Sequence, residues 1–270
     1  PKVSVIIPTY KEAANLRHLI PAVSQYLDYE GQGGEIVLVD DDSQDGTVDI
    51  CQDLADTYPV RLVQRNAAPG LSRAVLDGMR HAQGEIFVVM DADLSHPPER
   101  IPDLVAGLDT EEADMVVGSR YVPGGSTEDT WGWFRALNSW VATLMARPLV
   151  RTSDPMAGFF AVRRETVEQA DHLDPVGYKI ALELMVKCGC RRIKEVPIHF
   201  RIRKYGESKL TLKEQLKYVL HVIKLLDYKY EKWTCFLKFC GVGASGMGVD
   251  LLSFSLILKF LPFGFARILA

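Results

Sequence analysis

An open, mostly parallel α/β sheet is the fold this sequence predicts, and two features carry the prediction. Short runs of Val, Ile and Leu recur without polar alternation at VSVII (3–7), EIVLV (35–39), VRLV (60–63), EIFVVM (85–90) and MVVG (115–118). Unbroken apolar runs of this length belong to strands covered on both faces, as the strands of parallel sheets are. Between the runs lie segments whose apolar residues fall three and four apart, the helical period. The resulting β-α-β alternation calls for right-handed crossovers and helices on both faces of the sheet.

The elements follow in order. The first strand runs into Pro8-Thr9-Tyr10-Lys11-Glu12, and a helix is expected over 12–28. The second strand ends in Asp40-Asp41-Asp42-Ser43, and TVDICQDLADTY then puts Val48, Cys51, Leu54 and Ala55 on one helical face. LSRAVLDGMRHA supplies the third helix, ahead of the strand that ends in Asp91-Ala92-Asp93. His96 begins a further helix, and Pro97-Pro98-Glu99 suits its first turn.

From about residue 120 the pattern changes. YVPGGSTEDT (121–130) reads as a mobile flap of Gly, Ser and Thr. WGWFRALNSWVATLMARPL is a helix with Trp133, Leu137, Trp140, Val141 and Leu144 along one side. That side suits either a protein core or a membrane interface, where indole rings are favoured. Residues 209–232 form a basic amphipathic helix with Leu212, Leu216, Val219, Leu220, Ile223 and Leu226 on one face, the pattern of a helix lying on lipid. Residues 233–261 carry only Lys238, Asp250 and Lys259 as charges, so a transmembrane helix is expected over roughly 236–258, with Asp250 facing a neighbouring helix. A second span is expected after the PFG turn. The organisation read from the sequence is therefore a catalytic domain over 1–208, an interface helix over 209–232 and the start of a membrane domain over 233–270.

Charge separates along the chain. Residues 1–200 hold 19 Lys and Arg against 30 Asp and Glu, whereas residues 201–238 hold 10 against 4. The basic segment suits anionic headgroups of a lipid bilayer, and the lysines before the span put the N-terminal domain on the cytoplasmic face. The acidic remainder would repel phosphate backbones, so no nucleic-acid partner is expected. Five cysteines, none in a CxxC pair, read as reduced thiols rather than a zinc site.

Ligands of open parallel sheets bind beyond the carboxyl ends of the strands. In extended chain Asp91 and Asp93 project to one side, and with the Asp40–Asp42 cluster on a neighbouring strand end they point to a hard divalent cation, Mn²⁺ or Mg²⁺, that also takes diphosphate oxygens. Simple capping of the helix near Pro97 would explain one carboxylate, not two. A dinucleotide site is disfavoured, because no G-x-G-x-x-G follows the first strand. A glycosidase is disfavoured too, because its two carboxyls must flank the scissile bond.

VSVIIPTYKEAANL, EIVLVDDDSQDGT, GLSRAVLDGMRHAQGEIFVVMDADLSHPPE, VVGSRYVPGG, DPMAGFFAVRRE and RIRKYGESKL resemble, in this order, the polyprenyl-phosphate glycosyltransferases of glycosyltransferase family 2. The resemblance covers about residues 2–230, and FLKFCGVGASGMGVDLL resembles the start of the membrane domain fused to some members. It implies a glycosyltransferase-A fold and inverting transfer of mannose from GDP-mannose to dolichyl (polyprenyl) phosphate. The same chemistry with UDP-glucose is the alternative, and a non-catalytic nucleotide-sugar or lipid-carrier binding protein is the rival from another class. Pro8, Tyr10, Glu12, Val39 and Asp41 match the guanosine site. Asp91, Ala92 and Asp93 match the acidic motif, with Asp93 as the direct metal ligand and Ser95 where some members carry a further ligand, Gln. Arg120, Arg203 and Lys209 match positions near the donor diphosphate, and Arg120, Arg135 and Ser139 positions near the lipid phosphate.

Overall fold

The structure, a computed structural model, describes residues 1–28, 31–66, 69–110, 113–128, 133–170, 173–174, 179–202 and 212–260; side chains at 110, 133–137, 212–214 and 258–260 are outside the description. The N-terminal alternation is β1 (Val3–Thr9), α1 (Ala13–Ser24), β2 (Gly34–Asp40), α2 (Thr47–Ala55), β3 (Val60–Gln64), α3 (Leu71–His81) and β4 (Ile86–Val89). A 3₁₀ turn at Pro98–Arg100 leads into α4 (Ile101–Thr110), and β5 (Met115–Ser119) follows. The apolar runs thus form the strands they predict. Burial explains β1 and β2 fully, since Ile6, Ile7, Ile36 and Leu38 are inaccessible to solvent.

Seven strands pair in the order β3-β2-β1-β4-β7-β5-β8, where β7 is Phe160–Arg163 and β8 is Ile193–Pro197. All pairings are parallel except those of β7, which runs antiparallel between β4 and β5. Two expectations are corrected by this order. β3 is an edge strand with half-buried residues, so Arg61 within it is tolerated and the run is not covered on both faces. β1 also separates β2 from β4, so the Asp40–Asp42 cluster does not sit on a strand adjoining Asp91 and Asp93. On α2, Cys51 is buried but Ala55 is exposed, so the inward face is narrower than its spacing suggests.

The 121–128 stretch is more ordered than a flap of small residues predicts. Ser126–Thr127 forms β6, which pairs with β9 (His199–Phe200). Two short helices, α6 (Arg164–Glu168) and α7 (Ile180–Lys187), lie between β7 and β8 in the chain.

Contacts divide the chain into two compact units, Pro1–Leu225 and Leu226–Ala270. In the first, α5 (Trp133–Ala146) and α8 (Leu212–Lys229) are joined by the Tyr218 hydroxyl, which donates to the Ala142 carbonyl at 2.7 Å. Helix α8 buries Tyr218, His221, Val222 and Leu225, while Leu216 is 61% exposed and Leu220 and Ile223 are also exposed. Its predicted apolar stripe therefore points outward. Trp140, 59% exposed, shares this behaviour with Val141 and Leu144 on α5, which excludes a core role for those three. In the second unit, α9 (Glu231–Phe260) contains a segment, Glu231–Ile257, long and apolar enough to cross a membrane, with a mean hydropathy of 1.4. Asp250 is exposed on it, and no neighbouring helix covers that segment among the described residues. The expected second span lies outside the described residues.

Close packing of α3 on the sheet depends on Gly78. A Cβ there would stand 2.5 Å from Ile6 Cγ2 and 2.9 Å from Val39 Cγ2, so the helix sits nearer the strands than any side chain allows. We expect Gly78→Ala to destabilise the protein by about 1–3 kcal/mol through overpacking, against its gain in helix propensity. Urea unfolding followed by circular dichroism checks this; an unchanged midpoint would count against the tight seat.

Candidate active site

The carboxyl ends of β1 and β2 are tied to each other. The Asp41 N–H donates to the Thr9 carbonyl at 3.1 Å, and the Lys11 N–H donates to Ser43 Oγ at 2.9 Å. Pro8 and Val39 are buried in these strand ends, and Tyr10 and Glu12 are half-buried at the rim. Asp41 is itself fixed: Arg65 pairs with one oxygen, and the Gly70 N–H donates to the other at 2.7 Å. Arg65 also reaches Asp77 at 2.7 Å, so a buried guanidinium holds the Asp41 carboxylate in one orientation. Arg65 and Gly70 had no visible role in the sequence, because the partners are separated by an entire βα unit.

The acid pair lies beyond β4, not on it. The strand ends at Val89, residues 92–94 bend, and Leu94 adopts a left-handed φ of 64°. Strand alternation thus does not align the two carboxylates. Asp93 is buried, with Oδ1 accepting from the Ser95 N–H at 3.1 Å and the Ser95 hydroxyl at 2.5 Å. No side chain caps the 3₁₀ turn at Pro98, so helix capping does not account for Asp93 or Ser95. The Asp91 side chain is 30% exposed and opens toward solvent. Ala92 between them is buried.

His96 is another residue that the sequence reading left without a part in the site. It is buried rather than displayed at a helix start, stacking on Phe159 with ring centroids 5.2 Å apart. Its Nδ1 accepts from the Asp91 N–H at 3.0 Å, and Nε2 lies 3.9 Å from Asp91 Oδ2. Burial pushes its pKa down against the pull of Asp91 and Asp93, which keeps the imidazole neutral with its proton on Nε2 facing Asp91. Gly158 supplies the remaining room, since a Cβ there would meet Asp91 Oδ2 and His96 Cε1 at 3.3 Å. Two carboxylates, one held by Ser95 and the other on a backbone held by His96, form a hard-oxygen donor set that fits Mg²⁺ or Mn²⁺. Among the described residues no cluster of three or more acidic, His or Cys side chains encloses a metal, so further ligands would come from a substrate.

Arg120 follows β5 and meets Asp154, which lies just before β7. Nε donates to Oδ2 at 2.8 Å and Nη2 to Oδ1 at 2.9 Å, a bidentate pair on a fully buried carboxylate. Burial works against the guanidinium's charge, but Asp154 more than offsets it and holds Arg120 ionised. Phe200 and Tyr121 each present a ring 5.3 Å from its Cζ. The Tyr121 hydroxyl reaches Ser139 Oγ at 2.9 Å, which brings α5 to this side of the site. Lys179 is close as well, and burial, with Arg120, pushes its pKa down to about 8. The structure therefore gathers Asp91, Ala92, Asp93, Ser95, Arg120 and Ser139 beside Asp154 and Lys179. Arg203, Lys209 and the side chain of Arg135 lie outside the described residues. Only the motif DPMAGFF signalled Asp154, as part of a resemblance and without a role.

A cavity of about 730 Å³ opens near the start of β8 and the end of β7, lined by Asp109, Asp114, Arg163 and Arg192. Four of the charges that line it are paired, Arg163 with Asp109 at 3.0 Å and Arg192 with Asp114 at 3.6 Å. The candidate site lies at the opposite, carboxyl ends of the parallel strands, where open parallel sheets bind their ligands.

Residues 4–170 match the profile described as Glycosyl transferase family 2. A dolichol-phosphate mannosyltransferase of Pyrococcus furiosus is 44% identical over 92% of this chain and 70% of its own length. That of Saccharomyces cerevisiae is 39% identical over 84% of this chain and 88% of its own. Among solved structures, glucosyl-3-phosphoglycerate synthase from Mycobacterium tuberculosis with Mg²⁺ and UDP superposes with a TM-score of 0.62, covering 84% of this chain and 79% of that one at 20% identity. At that identity the likeness establishes the fold, the glycosyltransferase-A arrangement expected from the motifs.

Because Asp154 neutralises a guanidinium that is itself largely buried, its loss would strand a charge. Asp154→Ala should cost roughly 3–5 kcal/mol of stability. Thermal unfolding of the purified variant reads this directly, and an unchanged transition would show that the pair is solvated in solution.

Proposed function

The chain belongs to glycosyl transferase family 2, and from that membership we propose that it moves mannose from GDP-mannose to dolichyl phosphate, inverting the anomeric carbon and releasing GDP. One observation carries the reading. Identity of 44% to a dolichol-phosphate mannosyltransferase spans 92% of the chain, so it reaches the acid pair and at least the first part of α9. UDP-bound relatives share only the fold, which leaves the base and the sugar to the more similar sequences.

In this reading Pro8, Tyr10, Glu12, Val39 and Asp41 hold the guanosine, with Asp41 oriented by Arg65 and Gly70. Asp91 and Asp93 hold a divalent cation, which when bound would neutralise the donor diphosphate and stabilise charge on departing GDP. Ser95 fixes the Asp93 carboxylate, and His96 holds the Asp91 backbone N–H. Arg120, with Arg203 and Lys209, offers fixed positive charge to the diphosphate; Arg120, Arg135 and Ser139 take the lipid phosphate. That phosphate is already ionised near neutral pH, so no side chain must remove a proton from it. His96 fits this economy, because its Nδ1 is engaged by the Asp91 N–H and its ring is sealed against Phe159. The remaining demand is to hold two anionic reactants in line, a task for oriented cations.

Membrane association follows from α9, and the lysines at 213, 217, 224, 229 and 232 ahead of it support a catalytic domain on the cytoplasmic face.

Three outcomes test the proposal. The purified chain with labelled GDP-mannose, Mn²⁺ and a short polyprenyl phosphate should give an extractable mannosyl lipid, and labelled UDP-glucose should give little. Asp93→Ala should slow transfer at least roughly a hundredfold, as should EDTA, with Mn²⁺ restoring the chelated enzyme but not the variant. Deleting residues 233–270 should shift the protein from the membrane to the soluble fraction while GDP binding persists. A glucosyl product, a metal-independent reaction or an undiminished membrane fraction would each refute its own part.

A further inference from the structure

Lys179 stands in the site, and the mechanism above gives it no part. It immediately precedes α7, and its Nζ donates to the carbonyl of Met156 at 3.1 Å. Met156 belongs to the Asp154–Gly158 loop, which presents Asp154 to Arg120 and lays Gly158 against Asp91. The ammonium consequently feels the charges of Arg120, Asp154 and Asp91 together.

The charge count around it is instructive. Asp154 is engaged bidentately by Arg120, and Asp91 and Asp93 are committed to a divalent cation in the proposed reaction. With that cation in place the cluster of Arg120, Lys179 and three aspartates is net positive by one charge. Two partly buried cations side by side repel each other and lose hydration, an arrangement that becomes favourable when an anion lies against both. An ammonium can serve a carbonyl and an oxyanion at once through its three N–H donors, and as a point charge it suits phosphate.

We propose that Lys179 binds a phosphate oxyanion of the reactants, sharing it with Arg120. The identity of that anion rests on the glycosyl-transfer reading, in which two reactants carry the same chemistry: the phosphomonoester of the lipid acceptor and the diphosphate of the donor. The position of Arg120 between Asp154 and Tyr121, whose hydroxyl meets Ser139, favours the acceptor.

The experiment compares Lys179→Met and Lys179→Arg with the unaltered full chain in detergent and Mn²⁺. It measures KM for a short polyprenyl phosphate, Kd for GDP, and the melting temperature. Lys179→Met should raise one of the two constants by roughly tenfold to a hundredfold, and Lys179→Arg should recover most of the loss. A rise confined to the polyprenyl phosphate assigns Lys179 to the acceptor, and one confined to GDP assigns it to the donor; either supports the proposal. Unchanged constants overturn it. So does a joint loss with a lowered melting temperature that arginine fails to repair, since Lys179 is then only a structural tie to Met156. If the unaltered chain makes no mannosyl lipid, the transfer reading fails by itself, and GDP and inorganic phosphate binding to the two variants still decide the role of Lys179.

Discussion

One antiparallel strand makes this site possible. β7 enters the sheet between β4 and β5 against the direction of both, so the chain arrives at their carboxyl ends before it descends. The loop that precedes it, Asp154 to Gly158, is thereby laid across the ends of the two parallel strands. From there Asp154 clamps Arg120 after β5, and Gly158 lies against Asp91 after β4. A parallel strand in that position would leave these ends open and Arg120 without its carboxylate. Since an unpaired buried guanidinium is strongly unfavourable, the direction of one four-residue strand governs whether the basic side of the site can exist.

Backbone strain gathers at the same edge. Among the described residues the non-glycine positions with left-handed φ are Lys11, Asp42, Gln44 and Leu94. They follow β1, β2 and β4 and so ring the carboxyl ends of the central strands. Each such conformation costs about 1–2 kcal/mol for an ordinary residue and persists only where its surroundings impose it. The surroundings are visible: Ser43 accepts the Lys11 N–H while its own N–H is held by Asp40 at 3.0 Å, and Ser95 grips Asp93 on the far side of Leu94. The fold thus keeps the loops at the carboxyl ends of these strands in fixed, costly shapes, which would reduce what a ligand bound there must order.

How much of this was readable in advance differs by element. The apolar runs at 3–7 and 35–39 announced buried parallel strands because both their faces touch helices, and they are inaccessible as expected. β7 was harder, since Phe160-Ala-Val-Arg163 is short and its antiparallel direction is a property of neighbours, not of its own residues. The acidic pair was visible as a motif, yet the reason given for it, strand alternation, was wrong, because the strand stops two residues earlier. His96 hid for a related reason. Next to Pro97 it read as the start of a helix, and only the tertiary placement of Phe159, 63 positions on, encloses its ring. Asp154 stood out only within the motif DPMAGFF and Lys179 not at all, because the partners of each are widely separated in the sequence.

The outward apolar face on α5 and α8 completes the argument, because it is what a reaction between unlike phases requires. A polyprenyl phosphate offers an anionic head that cannot enter hydrocarbon and a tail that cannot leave it without cost. Any site that takes the head must therefore stand next to an apolar surface that the membrane, not water, covers. On α5 a polar and an apolar face fall on adjacent residues: Ser139 meets the Tyr121 hydroxyl beside Arg120, and Trp140 turns outward with Val141 and Leu144. Tyr218 binds α8 to α5 and extends the outward face with Leu216, Leu220 and Ile223. A soluble protein would bury such a surface, and this one spends its inward contacts on Tyr218, His221 and Val222 instead.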